Sequence, residues 1–92
     1  MNSKNKPAQT TDERLHVARV AALRWCACCE QPCQAPEIHE IRQGDWWTSI
    51  PLDPECHRGA FAGLHGQRRA WIVQKLDEIG ALSRTIRRLN HA

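Results

Sequence analysis

Clustered cysteines constrain this chain more than any other feature of its sequence. Four of the five cysteines lie within eight positions, Cys26, Cys28, Cys29 and Cys33, and Cys56 follows downstream. A chain of 92 residues buries only about two-thirds of the surface that it exposes when unfolded. Domains of this size often need a metal ion or disulfides for stability. We therefore expect the cysteines to hold this domain together.

The number and setting of the cysteines favour a metal over disulfides. Their count is odd, and the polar N-terminus through Gln9 has no apolar segment of the kind found in secretory signal peptides. No stretch reaches the roughly twenty apolar residues that a membrane span needs. We expect no membrane partner and a cytoplasmic location, since clustered thiols in a reducing compartment usually bind metal.

A zinc knuckle at the start of the cluster predicts one structural zinc site. In the Cys26-x-x-Cys29 spacing, a tight turn lets two thiolates bind one tetrahedral ion. A tetrahedral zinc ion needs two further ligands, and Cys33 and Cys56 can supply them. The predicted ligands are therefore Cys26, Cys29, Cys33 and Cys56. Asp53 lies three residues before Cys56 and can also bind zinc, so it is the alternative to Cys33. Cys28 is then the spare cysteine, and it could exchange roles with a neighbouring cysteine.

Hydrophobic periodicity and turn residues predict a mixed α+β domain. The predicted elements, in chain order, are a disordered lead (1–10), a helix (11 to about 24), two strands (37–42 and 46–52), a short helix from Pro54, and two C-terminal helices (64–76 and 79 to about 90). A turn over residues 43–45 joins the two strands into a hairpin. We therefore expect one domain over residues 11–92.

Basic residues are concentrated in the C-terminal part of the chain. Residues 1–57 contain six Lys and Arg against eight Asp and Glu, whereas residues 58–92 contain seven against two. This distribution suits a surface that binds the phosphate backbone of a nucleic acid. The alternative interpretation is a helical face that is basic only because it is exposed to solvent. We predict DNA as the partner, with contacts from Arg42, Arg58, Arg68 and Arg69.

Three histidines accompany the cysteines, at His39, His57 and His65. Together these motifs resemble the phage recombination-enhancement (Ref-type) HNH endonucleases and their small phage relatives. The resemblance covers about residues 15–90. It is carried by Cys26-Ala-Cys-Cys29, Pro36-Glu-Ile-His39-Glu-Ile-Arg42, Thr48-Ser-Ile-Pro-Leu-Asp53-Pro-Glu-Cys56-His57-Arg-Gly, Gly63-Leu-His65-Gly and Lys75-Leu-Asp-Glu-Ile.

The resemblance implies a fold, an activity and a second metal site. The implied fold is a small zinc-stabilised ββα-metal (HNH-like) domain with flanking helices. The implied activity is that of a metal-dependent DNA endonuclease or nickase of phage or prophage origin, acting in recombination in the cytoplasm of a bacterial host, with a host recombination or regulatory protein as a further partner. His39, His57 and His65 would bind a catalytic divalent metal (Mg²⁺, Mn²⁺ or Zn²⁺) that stabilises charge at the scissile phosphate.

Position 40 departs from the family's pattern. The family has two adjacent histidines on the first strand, the second of which activates the attacking water, whereas this chain has His39-Glu40. Glu40 could serve as the base, although its ordinary pKa of about 4.3 makes it a weaker one. It could also bind the metal, or mark the loss of hydrolysis. The second hypothesis is therefore a catalytically impaired zinc-binding DNA or protein adaptor or regulator, and the apolar stripe of the last helix could face a second copy in a homodimer.

Overall fold

A computed structural model describes residues 8–58 and 77–91 of the chain. The elements in these ranges are helix α1 (Thr11–Ala22), strand β1 (Glu37–Glu40), a 3₁₀ turn (Trp46–Thr48), strand β2 (Ser49–Leu52), helix α2 (Pro54–Arg58) and helix α3 (Glu78–His91). The predicted mixed α+β class is confirmed. The first seven residues of the predicted lead and the predicted helix 64–76 lie outside the described residues. In the ranges described, every helix is too short or too polar to cross a lipid bilayer.

Helix α1 begins at a capping box, and a left-handed residue lies just beyond its end. The Thr10 hydroxyl accepts a hydrogen bond from the Glu13 N–H (3.1 Å), and the Thr10 N–H donates to the Glu13 carboxylate (2.7 Å). These reciprocal bonds satisfy two donors that the first turn would otherwise leave unpaired. The helix ends at Ala22, slightly earlier than predicted, and Arg24 takes a φ of 48°. This left-handed backbone turns the chain into the cysteine cluster.

Strands β1 and β2 form a two-stranded antiparallel sheet. Glu37 lies opposite Leu52, and His39 lies opposite Ile50. The second strand is shorter than the predicted range 46–52, because the Asp45 carboxylate accepts a hydrogen bond from the Trp47 N–H (3.2 Å) and caps a 3₁₀ turn there. All four residues of β2 are buried, and all three described helices pack against this hairpin.

The core of the described residues is built around the cysteine cluster. Its buried members are Trp25, Cys26, Ala27, Cys28, Ile50, Leu52, Cys56 and Ala81. Three of these eight residues are cysteines and two are alanines, so few large apolar side chains contribute. Burial of apolar surface is the main favourable contribution to folding. A core of this composition therefore gains less from burial than a core of large aliphatic residues would.

Helix α3 is fixed to the cysteine cluster by two arginines that lie one turn apart. The Arg84 guanidinium donates hydrogen bonds to the carbonyl oxygens of Ala27 (2.9 Å) and Cys28 (3.1 Å). The Arg88 guanidinium stacks over the Trp25 ring, 4.6 Å from its centroid, as a cation–π contact. Arg84 and Arg88 therefore contribute to packing, in addition to the positive charge that they give the C-terminal part of the chain.

We expect Arg84→Ala to lower the free energy of unfolding by about 2 kcal/mol, because it leaves two carbonyl groups without a charged donor. Urea denaturation followed by circular dichroism measures this difference. Arg87 is exposed on the same helix, so Arg87→Ala is the matched control and should change the free energy by less than about 0.5 kcal/mol. Equal effects from the two substitutions would contradict a specific role for Arg84.

Candidate metal centres

A backbone loop after α1 brings two cysteines together. The Cys26 N–H donates to the Gln31 carbonyl (3.0 Å), and the Glu30 N–H donates to the Cys26 carbonyl (2.8 Å). Glu30 has a φ of 61°, which reverses the chain direction. The Cys29 N–H points at the Cys26 sulfur at 3.5 Å. The loop therefore brings the two cysteines of the predicted knuckle within contact of each other.

Cys56 of helix α2 completes a group of three thiols. The sulfur atoms of Cys26, Cys29 and Cys56 all lie within 4.8 Å of one another. Thiolates bound to one tetrahedral zinc ion at about 2.3 Å lie about 3.8 Å apart. The three thiols are therefore close enough together to hold one tetrahedral metal ion such as zinc. Among the potential metal ligands within residues 8–58 and 77–91, Cys26, Cys29 and Cys56 form the one group of three or more whose ligand atoms are close enough to hold a metal ion.

Burial keeps several of these thiols protonated when no metal is bound. It raises the pKa of Cys28 to about 11, and it also raises the pKa of Cys29 and Cys56. The neighbouring sulfur of Cys26 adds to the increase at Cys56, because one thiolate disfavours another beside it. A metal ion must displace these protons, and its charge replaces repulsion between thiolates with attraction.

Three side chains beside this group could supply a fourth ligand. Cys28 is buried next to the Cys56 thiol, so the cysteine predicted to be spare contacts the group. Cys33 is half-buried beside the Asp53 carboxylate. Burial is the main reason that the pKa of Cys33 is raised, and Asp53 adds to the increase. The two predicted alternatives, Cys33 and Asp53, are thus neighbours in space.

His39 and His57 face each other where the hairpin meets helix α2. Their ring centroids lie 5.2 Å apart in an edge-to-face arrangement. Both side chains are largely buried, at 12% and 16% exposed. The fold brings these two histidines together because β1 carries His39, and α2 follows directly on the partner strand β2. Two of the three residues predicted to bind a catalytic metal are therefore adjacent.

Each of these histidines is hydrogen-bonded to a carboxylate. Nε2 of His39 lies 2.6 Å from Oε2 of Glu78, in the first turn of α3. Nδ1 of His57 lies 2.9 Å from Oε1 of Glu37, in β1. Arg58 also binds Glu37 through its Nε, at 2.9 and 3.1 Å. Arg58 first, and His57 second, hold the pKa of Glu37 down at about 2.

The sequence did not predict that Glu37 and Glu78 are the hydrogen-bond partners of the two histidines. Glu37 lies two residues before His39 on the same strand, so the alternation of side chains along a strand could have placed it on the same face. Glu78 is 39 positions away from His39. No local pattern links two residues at that separation, and only the packing of α3 against the hairpin brings them together.

The other predicted site residues lie at or just after the ends of β1 and α2, or outside the described ranges. Oε1 of Glu40 accepts a hydrogen bond from the Gly44 N–H (2.8 Å) in the turn after β1. Arg42 is exposed in that turn. Arg58 is also exposed, and its guanidinium binds a carboxylate of β1. The predicted site residues outside the described ranges are His65, Arg68 and Arg69.

No protein-family model, no curated protein and no solved structure matches this chain. Its function is therefore inferred from the cysteine group, from the histidine pair and from the residues around them.

Proposed function

We propose that this chain is a metal-dependent DNA endonuclease or nickase of the HNH type, stabilised by zinc at the cysteine group. The observation that carries the proposal is the facing pair His39 and His57, each with a carboxylate on one ring nitrogen. Histidines that bind metals almost always donate their other ring N–H to a carboxylate, a carbonyl or water. The family resemblance supplies His65 as the third ligand.

The side chains around the pair suit the hydrolysis of a phosphodiester. When bound, the metal ion supplies positive charge that stabilises the developing charge on the phosphate and on the leaving oxygen. His39 and His57 would hold it through the ring nitrogens that do not face their carboxylates. Glu40 takes a proton from the attacking water. The exposed guanidinium group of Arg42 neutralises a flanking phosphate of the DNA backbone.

Nicking of supercoiled plasmid in Mg²⁺ or Mn²⁺ tests this proposal. We expect the native chain to nick the plasmid, and His57→Ala to lower the rate by at least about 100-fold, because a bound metal supplies several kcal/mol of transition-state stabilisation. His91 is exposed at the end of α3, so His91→Ala is the matched control and should retain the native rate. Zinc content must also be measured, since His57 follows Cys56 directly.

A zinc-stabilised adaptor that binds DNA or protein without cleavage is the second candidate. Glu40 favours it, because a carboxylate occupies the position of the family's water-activating histidine and is hydrogen-bonded to Gly44. DNA that is retarded in a gel by the native chain and by His57→Ala alike, with no dependence on added Mg²⁺ and no nicking, would support the adaptor. The same result would contradict the nuclease.

A further inference from the structure

Glu78 links the C-terminal helix to the histidine pair. Its Oε2 lies 2.6 Å from Nε2 of His39, and its side chain is 27% exposed. We propose that Glu78 is a positioning residue: it accepts a hydrogen bond from the Nε2–H of His39, and so fixes both the orientation of the ring and the nitrogen that binds the metal. This inference rests on the proposed metal site at His39 and His57.

The backbone that carries Glu78 is held in place independently of His39. The Asp77 carboxylate accepts a hydrogen bond from the Gly80 N–H (2.6 Å), and the Asp77 carbonyl accepts one from the Ala81 N–H (3.0 Å). Ala81 is fully buried in the core, and Arg84 binds the cysteine loop further along the helix. Because the first turn of α3 is fixed in this way, the carboxylate of Glu78 reaches His39 from a defined position.

The two carboxylates select different tautomers of the two histidines. A neutral ring carries its proton on one nitrogen and a lone pair on the other. The Glu78 carboxylate accepts a hydrogen bond from the Nε2–H of His39, so the lone pair of that ring is on Nδ1. The Glu37 carboxylate accepts a hydrogen bond from the Nδ1–H of His57, so the lone pair of that ring is on Nε2. A carboxylate partner also makes the opposite nitrogen more basic and hence a better metal ligand.

A purely structural role would have different consequences. If Glu78 and His39 only fastened α3 to the hairpin, removing the charge of Glu78 would lower the melting temperature and leave metal affinity unchanged. Helix α3 already has other anchors in Arg84, Arg88 and Ala81. We therefore expect α3 to stay in place without Glu78, and the loss to fall on the metal affinity of the histidine pair.

Calorimetric titration of Mn²⁺ into the full chain, with its cysteine group already loaded with zinc, tests the inference. Mn²⁺ is suitable because it is a hard ion that competes poorly with zinc for thiolate ligands. We expect Glu78→Gln to weaken Mn²⁺ binding by about 10- to 100-fold, the range found for the partners of metal ligands. Asp77→Asn is the matched control, because it removes the same charge one residue away and keeps an oxygen that can cap the helix. It should retain the native affinity.

The outcomes separate this inference from the proposed function. Equal Mn²⁺ affinity in Glu78→Gln and Asp77→Asn would overturn the role of Glu78 and leave the metal site standing. A native chain that binds no Mn²⁺ would overturn the proposed function, and the inference with it. Should Glu78→Gln fail to fold, ¹⁵N NMR of the native imidazole rings decides. A proton on Nε2 of His39 and on Nδ1 of His57 supports the inference, and a proton on Nδ1 of His39 overturns it.

Discussion

Replacing Cys56 with serine is expected to abolish zinc binding and to unfold the chain. Cys56 is the one member of the three-thiol group that comes from α2, whereas Cys26 and Cys29 come from the loop after α1. A metal held by these thiols therefore connects two segments that are distant in sequence. Structural zinc sites contribute apparent free energies of about 10–16 kcal/mol, and whole domains are stable by only about 5–15 kcal/mol. The free energy lost with the zinc site should therefore exceed the free energy of unfolding of the domain.

Elemental analysis of zinc per chain and thermal melting by circular dichroism measure this effect. The native chain should bind about one zinc ion and melt cooperatively, whereas Cys56→Ser should do neither. Cys33→Ser is the matched control: it removes a thiol at the edge of the group, and the adjacent Asp53 carboxylate can take its place. It should keep about one zinc ion. A Cys56→Ser chain with native zinc content and a native melting temperature would contradict the structural role of the metal.

Replacing Glu40 with histidine is expected to raise the cleavage rate by about 100-fold. A positioned general base contributes about 10²–10⁴-fold, and it does so best when its pKa lies near the working pH. Histidine has an ordinary pKa of about 6.5, whereas that of glutamate is about 4.3. The Glu40 carboxylate also accepts a hydrogen bond from the Gly44 N–H, which ties it to the turn after β1. Plasmid nicking at fixed Mg²⁺ measures the rate.

Glu40→Gln separates the catalytic role of this carboxylate from its role in the turn. The amide oxygen can still accept the Gly44 hydrogen bond but cannot take a proton from water. We expect a native melting temperature with a lower nicking rate than the native chain. If neither Glu40→Gln nor Glu40→His changes the rate, position 40 does not carry the base. Gly44→Ala provides a folding control for the turn, because Gly44 has a φ of 89° that alanine adopts only with strain.

The sequence predicted best those features that depend on neighbouring residues. Helix α1 begins at residue 11 as predicted, next to its Thr10 cap. The first strand begins at Glu37 as predicted, and the short helix α2 begins at Pro54. The exception was the segment from Trp46, where aromatic residues suggested a strand. There the Asp45 side chain caps a 3₁₀ turn, and this local hydrogen bond outweighs the strand propensity of two tryptophans.

The cysteine cluster shows how far the sequence by itself determines this protein. The spacing of Cys26 and Cys29 is a property of one tight turn, so the sequence alone predicts that these two thiols lie together. Only the tertiary structure decides that Cys56 joins them, that Cys28 contacts the group, and that Glu78 meets His39. Those contacts join residues far apart in the chain, and they exist because α2 and α3 pack against the hairpin, an arrangement that no local pattern of residues encodes.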